Sequence, residues 1–431
     1  MKQTLIIFYT AILTCSWLPS QAQKLSTEEK KIVAHIRENM PQTMKLLEEI
    51  VNINSGTMNT EGVKQVGIVL RKKLDEAGFN TEWVDLPDSL KRAGHLVASK
   101  KGTKGKKLFL IGHLDTVFEP DMPANPFTKL SETTATGQGV NDMKGGDIII
   151  VAALQALQAN QLLDDASITA YFTGDEENAG RPTAVSRGDF IQRAKQADIA
   201  LAFETAQSLH SVATARRGSS GWQLKVSGKQ AHSAGVFKNN YGAIYEASRI
   251  VNSFRHELSH EKYLTFNPGL FVGGTEMVYD SAGIQAQVSG KTNIISPTTV
   301  VQGDLRFITE AQKIAARRKM RTIVATNRLP ATNATISFQE GIPAMEPTKG
   351  NAQLLSVLNK VTIDMGIGAS KAGDPGSRGA GDISYIAKYV ACLDGLGASG
   401  YGAHAPGEII NLKEFPILVE RAAIFIYRLT R

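Results

Sequence analysis

Apolar and polar positions follow two different rhythms along this chain. After a helical N-terminal stretch ending near "LLEEIVNINS", strand-like runs rich in Val, Ile, Leu and Phe ("GHLVASK", "KLFLIGHLDTV", "ASITAYFTG") alternate with helical blocks such as "GDIIIVAALQALQA". Continuous apolar strands separated by long helices are strands buried on both faces, so the pattern predicts an α/β domain with a mixed, mostly parallel sheet. Near Ala213 the rhythm changes. "GSSGWQLKVSG", "IQAQVSG", "TTVVQGDLRFIT" and "ATISFQEG" read as strands, "NNYGAIYEASRIVNSFRHEL" and "EAQKIAARRKMRTIVATN" as helices. That block predicts an α+β unit with one sheet face covered. From about Ala344 the first style resumes with "AQLLSVLNKVTIDMG", "YVACLDGLG" and "PILVERAAIFIYRL". The expected organisation is one α/β domain in two parts, 23–212 and 344–431, interrupted by an insertion at 213–343.

Residues 1–22 stand apart from this scheme. One lysine precedes a short apolar run, and Ser20 to Ala22 offers a small-x-small cleavage site, the pattern of a secretory signal. The run is too short for a comfortable membrane span, so the expectation is export to the periplasm or beyond, with no stable membrane span. Cys15 lies within it, where lipid anchoring is the alternative to simple cleavage. Once that leader is removed Cys392 is the one thiol left, so no internal disulfide supports the fold. The net charge of +7 is spread thinly. Its densest stretch, "KKGTKGKK" at 100–107, has glycines and no interleaved aromatics, which reads as a solvated hairpin rather than a nucleic-acid surface.

Chemistry concentrates at the ends of the apolar strands, where α/β sheets collect their active groups. "GHLDT" sets His113 and Asp115 two apart, either a structural histidine paired with an acid or a metal ligand oriented by a carboxylate. "GQGVNDMKGGD" places Asp142 before a helix, as a cap or as a ligand. "FTGDEEN" puts Asp175, Glu176 and Glu177 in a row, which neighbouring carboxylates tolerate by screening, protonation or a bound cation. "LAFETAQ" ends a strand with Glu204. "GLGASGYGAHAPGE" surrounds His404 with glycines, as a flexible surface loop or as a loop that projects one imidazole. Together His113 and His404 with Asp142, Glu176, Glu177 and Glu204 make two imidazoles and four acids in one domain, a donor set suited to zinc, with cobalt or manganese as substitutes. A carboxylate shared between two ions would account for the surplus of acids.

In this order, "GHLDT", "GVNDMKGG", "GDEEN", "FE" and the late glycine-flanked histidine resemble the dinuclear zinc exopeptidases and deacylases, which include glutamate carboxypeptidase, succinyl-diaminopimelate desuccinylase, acetylornithine deacetylase and the aminoacylases. The likeness is greatest to glutamate carboxypeptidase and covers essentially the whole chain after the leader. It implies a catalytic domain interrupted by a ferredoxin-like lid, through which the chain would form a homodimer. It also implies that Asp142 bridges two zinc ions, with His113 and Glu204 on one and Glu177 and His404 on the other. Asp115 would orient His113, and Glu176 would be the general base that takes a proton from a metal-activated water as it attacks an amide carbonyl. Asp175 is left as a solvated or capping acid.

In the lid, "GKQAHSAG" resembles the segment whose histidine donates to the tetrahedral oxyanion, pointing to His232. "TNIIS" and "GDLRF" resemble segments that hold a substrate carboxylate, pointing to Asn293 and Arg306. The implied activity is release of a C-terminal amino acid, glutamate among the candidates, from a small peptide or N-acyl compound. A deacylase of N-acyl amino acids and a metal-free binding protein are the alternatives. Three positions depart from the family pattern: Asn141 before Asp142, Thr265 where an arginine can stand, and Gly381 in place of a threonine.

Overall fold

The computed structural model describes residues 24–280, 282 and 284–431. The leader expected at 1–22, with Cys15, lies outside them. Numbering the main elements in chain order, the first part comprises α1 (Thr27–Val51), α2 (Thr60–Glu76), β1 (Asn80–Val84), β2 (His95–Lys100), β3 (Lys104–His113), α3 (Lys144–Ala159), β4 (Ala166–Thr173) and β5 (Ile199–Ala202). Then follow β6 (Gly218–Gly228), α4 (Gly242–Leu258), β7 (Thr265–Gly274), β8 (Thr298–Phe307), α5 (Glu310–Ala325) and β9 (Thr332–Glu340). The chain closes with α6 (Lys349–Asp364), β10 (Ala391–Leu393) and α7 (Phe415–Leu429).

Six strands form one mixed sheet in the order β1-β2-β4-β3-β5-β10. The run β4, β3, β5, β10 is parallel, and β1 and β2 extend it antiparallel. β3 shows why the sheet sits where it does: its lysine-rich start is exposed, and from Leu108 to His113 every residue is buried. The apolar α3 packs against α1 and α7, so its side chains from Ile148 to Leu154 are lost from solvent. α1 begins with a reciprocal cap between Ser26 and Glu29, which satisfies backbone donors that the first turn leaves free.

The expected hairpin at 100–107 is a turn but not a hairpin. β2 and β3 are separated by β4, which pairs antiparallel with the former and parallel with the latter. The turn crosses the mouth of β4 so closely that a Cβ on Gly102 would lie 2.0 Å from the Asp165 carbonyl oxygen.

A second, antiparallel sheet has the order β7-β8-β6-β9. Its inner face packs on α4 and α5 around Trp222, Leu224, Phe254, Leu305 and Met320, a cluster distinct from that of the first sheet. The sequence reading had no strand at β7, whose Pro268 and Gly269 argue against one. β7 is an edge strand with a register shift between Pro268 and Leu270, the place where a sheet tolerates proline. The chain leaves and re-enters the first unit through paired segments, with Arg216 and Met345 exchanging backbone hydrogen bonds of 2.9 and 3.1 Å.

Candidate metal centre

β3 delivers His113 to the carboxyl end of the parallel run, and β4 delivers the acidic turn beside it, with His113 opposite Thr173 in register. His113 is 1% exposed, and its Nδ1 lies 2.9 Å from the Asp115 carbonyl oxygen. A carbonyl only accepts, so Nδ1 carries a proton and Nε2 is the nitrogen left for a cation or a second proton. That Nε2 faces Asp142 Oδ1 at 3.4 Å and Glu204 Oε1 at 3.8 Å, yet has no hydrogen-bond partner. Carboxylates converging on a buried imidazole nitrogen need either a cation between them or a proton on that nitrogen.

Asp142 uses its other oxygen for the second half of the site. His404 Nε2 stands 3.1 Å from Asp142 Oδ2 and 3.2 Å from Glu177 Oε2. Donor atoms of His113, Asp142 and Glu204 lie within 4.8 Å of one another, as do those of Asp142, Glu177 and His404. Asp142 belongs to both groups. Ligands about 2.0–2.1 Å from a tetrahedral ion stand about 3.3 Å apart, so the closest pairs already have the spacing of ligands on a shared ion. The buried Glu177 Oε1 is also without a partner. These residues fit a pair of divalent cations.

Charge gives the same answer. Burial first, then the neighbouring acids, raises the pKa of Glu177 to about 10 and that of Glu204 to about 7, and holds Glu176 well above the carboxylate range. Burial would raise Asp142 as well, but His113 and His404 hold it below its ordinary value. Three carboxyls that resist ionising together are what a cation between them would relieve.

The surrounding groups hold this cluster in place. Asp115 is fully buried and accepts from Thr57 Oγ1 at 2.6 Å, Glu176 N at 2.9 Å and Glu177 N at 3.1 Å. Its carboxylate therefore fixes the acidic turn, while the backbone carbonyl of the same residue orients His113. Glu408, four residues past His404, accepts from the backbone N–H groups of Gly139, Asn141 and Asp142 at 3.1, 2.7 and 2.7 Å. It ties the Asp142 loop to the His404 loop. His404 has a φ of 65°, a left-handed conformation that a histidine adopts at a cost, in a loop where Gly402 and Gly407 also have positive φ.

Asp175 is not solvated. It is fully buried, accepts from Gly180 N at 2.7 Å and Ser186 Oγ at 2.7 Å, and pairs with Arg187. Arg187 also reaches Asp382 at 2.7 Å, and Asp382 accepts from Thr173 Oγ1 at 2.7 Å. Glu408, Arg187 and Asp382 were missed from the sequence; the spacing of Glu408 from His404 within one motif was the available signal. At the departure noted for Gly381, a Cβ would lie 2.5 Å from Arg216 Nη1. The missing side chain leaves room for that guanidinium, which is held by Asp394 at 2.6 Å and by the Gly379 and Ala380 carbonyls.

Asp142, Glu176, Glu204 and His404 line a cleft of about 370 Å³ together with Thr205, Arg216 and Arg378. The predicted residues of the segment 213–343 do not line it. His232 is exposed on a short bridge opposite Ile294, and Ser233 N bonds to the Asn293 carbonyl at 2.8 Å. Arg306 lies on β8 opposite Thr265 and pairs with Asp304 at 2.6 Å. His232 and Asn293 are thus brought together, and Arg306 is not with them.

Comparison with known proteins adds five matches. The sequence model of Peptidase family M20/M25/M40 matches residues 109–428. Carboxypeptidase G2 of Pseudomonas sp. (strain RS-16) is 26% identical over 393 residues, covering 90% of this chain and 89% of that protein. The succinyl-diaminopimelate desuccinylase of Psychrobacter arcticus is 25% identical over 314 residues, 69% of this chain and 72% of its own length. Among solved structures, aminopeptidase PepT from Bacillus cereus matches with a TM-score of 0.73 at 18% identity, covering 91% of this chain and 99% of its own. A metallo-carboxypeptidase of the M20 family from Sulfolobus solfataricus matches at 0.63 and 14%, covering 89% and 98%. The structural matches establish a shared fold. With the family model spanning most of its length, the chain belongs to Peptidase family M20/M25/M40 and is a metal-dependent hydrolase.

Proposed function

We propose that the protein is a zinc-dependent exopeptidase that releases a C-terminal amino acid, glutamate among the candidates, from a small peptide or N-acyl substrate. The observation that carries this reading is Asp142, one of whose oxygens faces His113 and the other His404. His113, Asp142 and Glu204 would hold one ion, and Asp142, Glu177 and His404 the other. Such a pair supplies a polarised carbonyl and a water made acidic near neutral pH. Cobalt and manganese suit the same donors.

Glu176 does the proton transfer. It shares a backbone turn with Glu177 but its carboxylate opens into the cleft, where it takes a proton from the attacking water and delivers it to the departing amine. Asp115 keeps that turn in register through the two N–H groups it binds. The segment 213–343 acts as a lid, bringing His232 to the tetrahedral oxyanion and Asn293 and Arg306 to the substrate carboxylate. Exposed Phe237, Tyr245, Phe271 and Val278 on this segment support a homodimer formed through it. Export directed by residues 1–22 belongs to the same proposal and rests on the sequence pattern alone.

A substrate panel with zinc-loaded protein tests the reading. Cleavage of peptidyl or acyl compounds with free C-terminal residues is expected. Comparable turnover of acetylated amino acids with no cleavage of peptidyl glutamates would reject the carboxypeptidase in favour of a deacylase.

A further inference from the structure

The lysine-rich turn at 100–107 takes no part in the hydrolytic chemistry, and its side chains are not simply solvated. Alternate residues of a strand share a face. On β2 that rule sets Val97 and Ser99 on one face with Lys101 just past the strand end; it does the same for Lys107 and Phe109 on β3 and for Ser167, Thr169 and Tyr171 on β4. The register brings them side by side, with Thr169 between Ser99 and Phe109. Lys100 points the other way and reaches Gln158 Oε1 on α3 at 3.3 Å.

The inner part of this face is closed and the outer part is open. The short helix Gly188–Ala194 lays Phe190 against Phe109 and Tyr171, with ring centroids 5.2 and 5.1 Å apart. Beyond its end, Ser99, Lys101, Lys107, Ser167, Thr169 and Gln196 line a cavity of about 390 Å³. Its floor carries three half-buried hydroxyls where the same strands, further in, carry Val97, Phe109 and Tyr171. The need for an apolar core does not explain them.

Neither are these groups used up by their neighbours. Among the described residues, the Lys101 and Lys107 ammoniums have no acid partner and the Ser167 and Thr169 hydroxyls no hydrogen bond, while Ser99 Oγ has only the Asn80 carbonyl at 3.5 Å. The acids of the flanking turns are engaged, Asp165 by Lys104 Nζ at 2.8 Å and Asp198 by the Lys107 backbone N–H at 2.9 Å. Arg193 at the rim is spent on Glu82 and Asp189, each at 2.7 Å. The cavity therefore offers ammonium and hydroxyl donors that rotate, without the planar fork of a guanidinium. Such point donors suit the tetrahedral oxygens of a phosphoryl group, whereas a planar carboxylate gains most from arginine.

We propose that this cavity is a binding site for a phosphoryl group, held by Lys101 and Lys107 over the hydroxyls of Ser99, Ser167 and Thr169. The space exceeds that of a water molecule by more than about tenfold, so a phosphate monoester fits as well as the free ion. Lys107 precedes His113 on β3 by about 20 Å of strand rise. The site is thus separate from the metal centre, and its fate is independent of the hydrolase reading.

The test is calorimetry at low salt on the zinc-loaded full chain with inorganic phosphate, glycerol 3-phosphate and succinate, together with co-sedimentation on phosphatidylcholine vesicles containing phosphatidic acid. Because a metal centre also takes such anions, hydrogen exchange over 99–108 and 166–169 locates each bound probe. For at least one phosphoryl probe, exchange should slow in both segments, and the variant carrying Lys101→Gln and Lys107→Gln should bind about tenfold or more weakly. Ser167→Ala should weaken binding about threefold. Both lysines are exposed, so the double variant should fold and hydrolyse substrate as the wild type does. The tightest probe names the source: free phosphate, a soluble ester or a lipid headgroup. Exchange unaltered in these segments by every probe, equal affinity in the wild type and the double variant, or succinate bound there as tightly as the phosphoryl probes overturns the proposal.

Discussion

On the six-stranded sheet, the side chains assigned to chemistry are themselves held by buried partners: Asp115 binds the acidic turn, Glu408 the Asp142 loop, and Arg187 joins Asp175 to Asp382. In the inserted segment, His232 and Asn293 sit at a separate two-stranded bridge and face solvent, and Arg306 on the four-stranded sheet is spent on a neighbour on its own strand. The first arrangement is complete in one chain. The second does not reach the cleft in one chain, so the proposed roles of its residues would call for closure over a substrate or another copy of the chain. On the proposed function, activation of water would belong to the buried scaffold and substrate selection to the inserted segment, as expected where binding energy is used to assemble the site.

The largest effect that would sharpen this contrast is at Glu176. Glu176→Gln should lower kcat on the order of 10³-fold, within the range of general-base catalysis, while metal content by mass spectrometry stays at the wild-type level. Loss of both together would make Glu176 a ligand instead. Next is the buried network. Arg187→Met leaves Asp175 and Asp382 unpaired and should destabilise the fold by about 3–5 kcal/mol, read from denaturant unfolding of metal-free protein. A change below 1 kcal/mol would show that the scaffold does not depend on it. His232→Ala in the inserted segment should lower kcat by about 10² yet leave the unfolding curve unchanged. A destabilised variant would contradict the view that His232 has no structural duty.

A smaller effect concerns pH. Without metal, burial and Asp142 raise the Glu204 pKa from 4.5 to about 7. The folded chain then holds that proton more tightly than the unfolded one, so stability falls as pH rises from about 4.5 through about 7. A cation removes the penalty. The difference in melting temperature between zinc-loaded and chelated protein should widen over that window, and a constant difference would break the argument.

The metal-centre candidates were readable because ligation restricts residue type: only imidazoles and carboxylates serve, and they stood at strand ends in glycine-rich motifs. The alternation of helices and apolar strands gave the mixed sheet for the same reason, since burial on both faces leaves no room for polar residues. What held those candidates in place was not readable. Arg187 and Asp382 are 195 residues apart, and no local pattern announces a pair formed at that distance. Asp175 looked like its two acidic neighbours until its partner was known. Whether β2 and β3 form a hairpin depends on β4, which arrives some fifty residues later. Thr265 and Arg306 read as separate features and turned out to face each other across two strands.

The most direct test of the central claim is the zinc content of the protein after equilibrium dialysis, measured by plasma mass spectrometry for the wild type and for His404→Ala. The arrangement around Asp142 predicts about two ions per wild-type chain and about one in the variant. A wild-type value of one or less, unaffected by removal of His404, would contradict it.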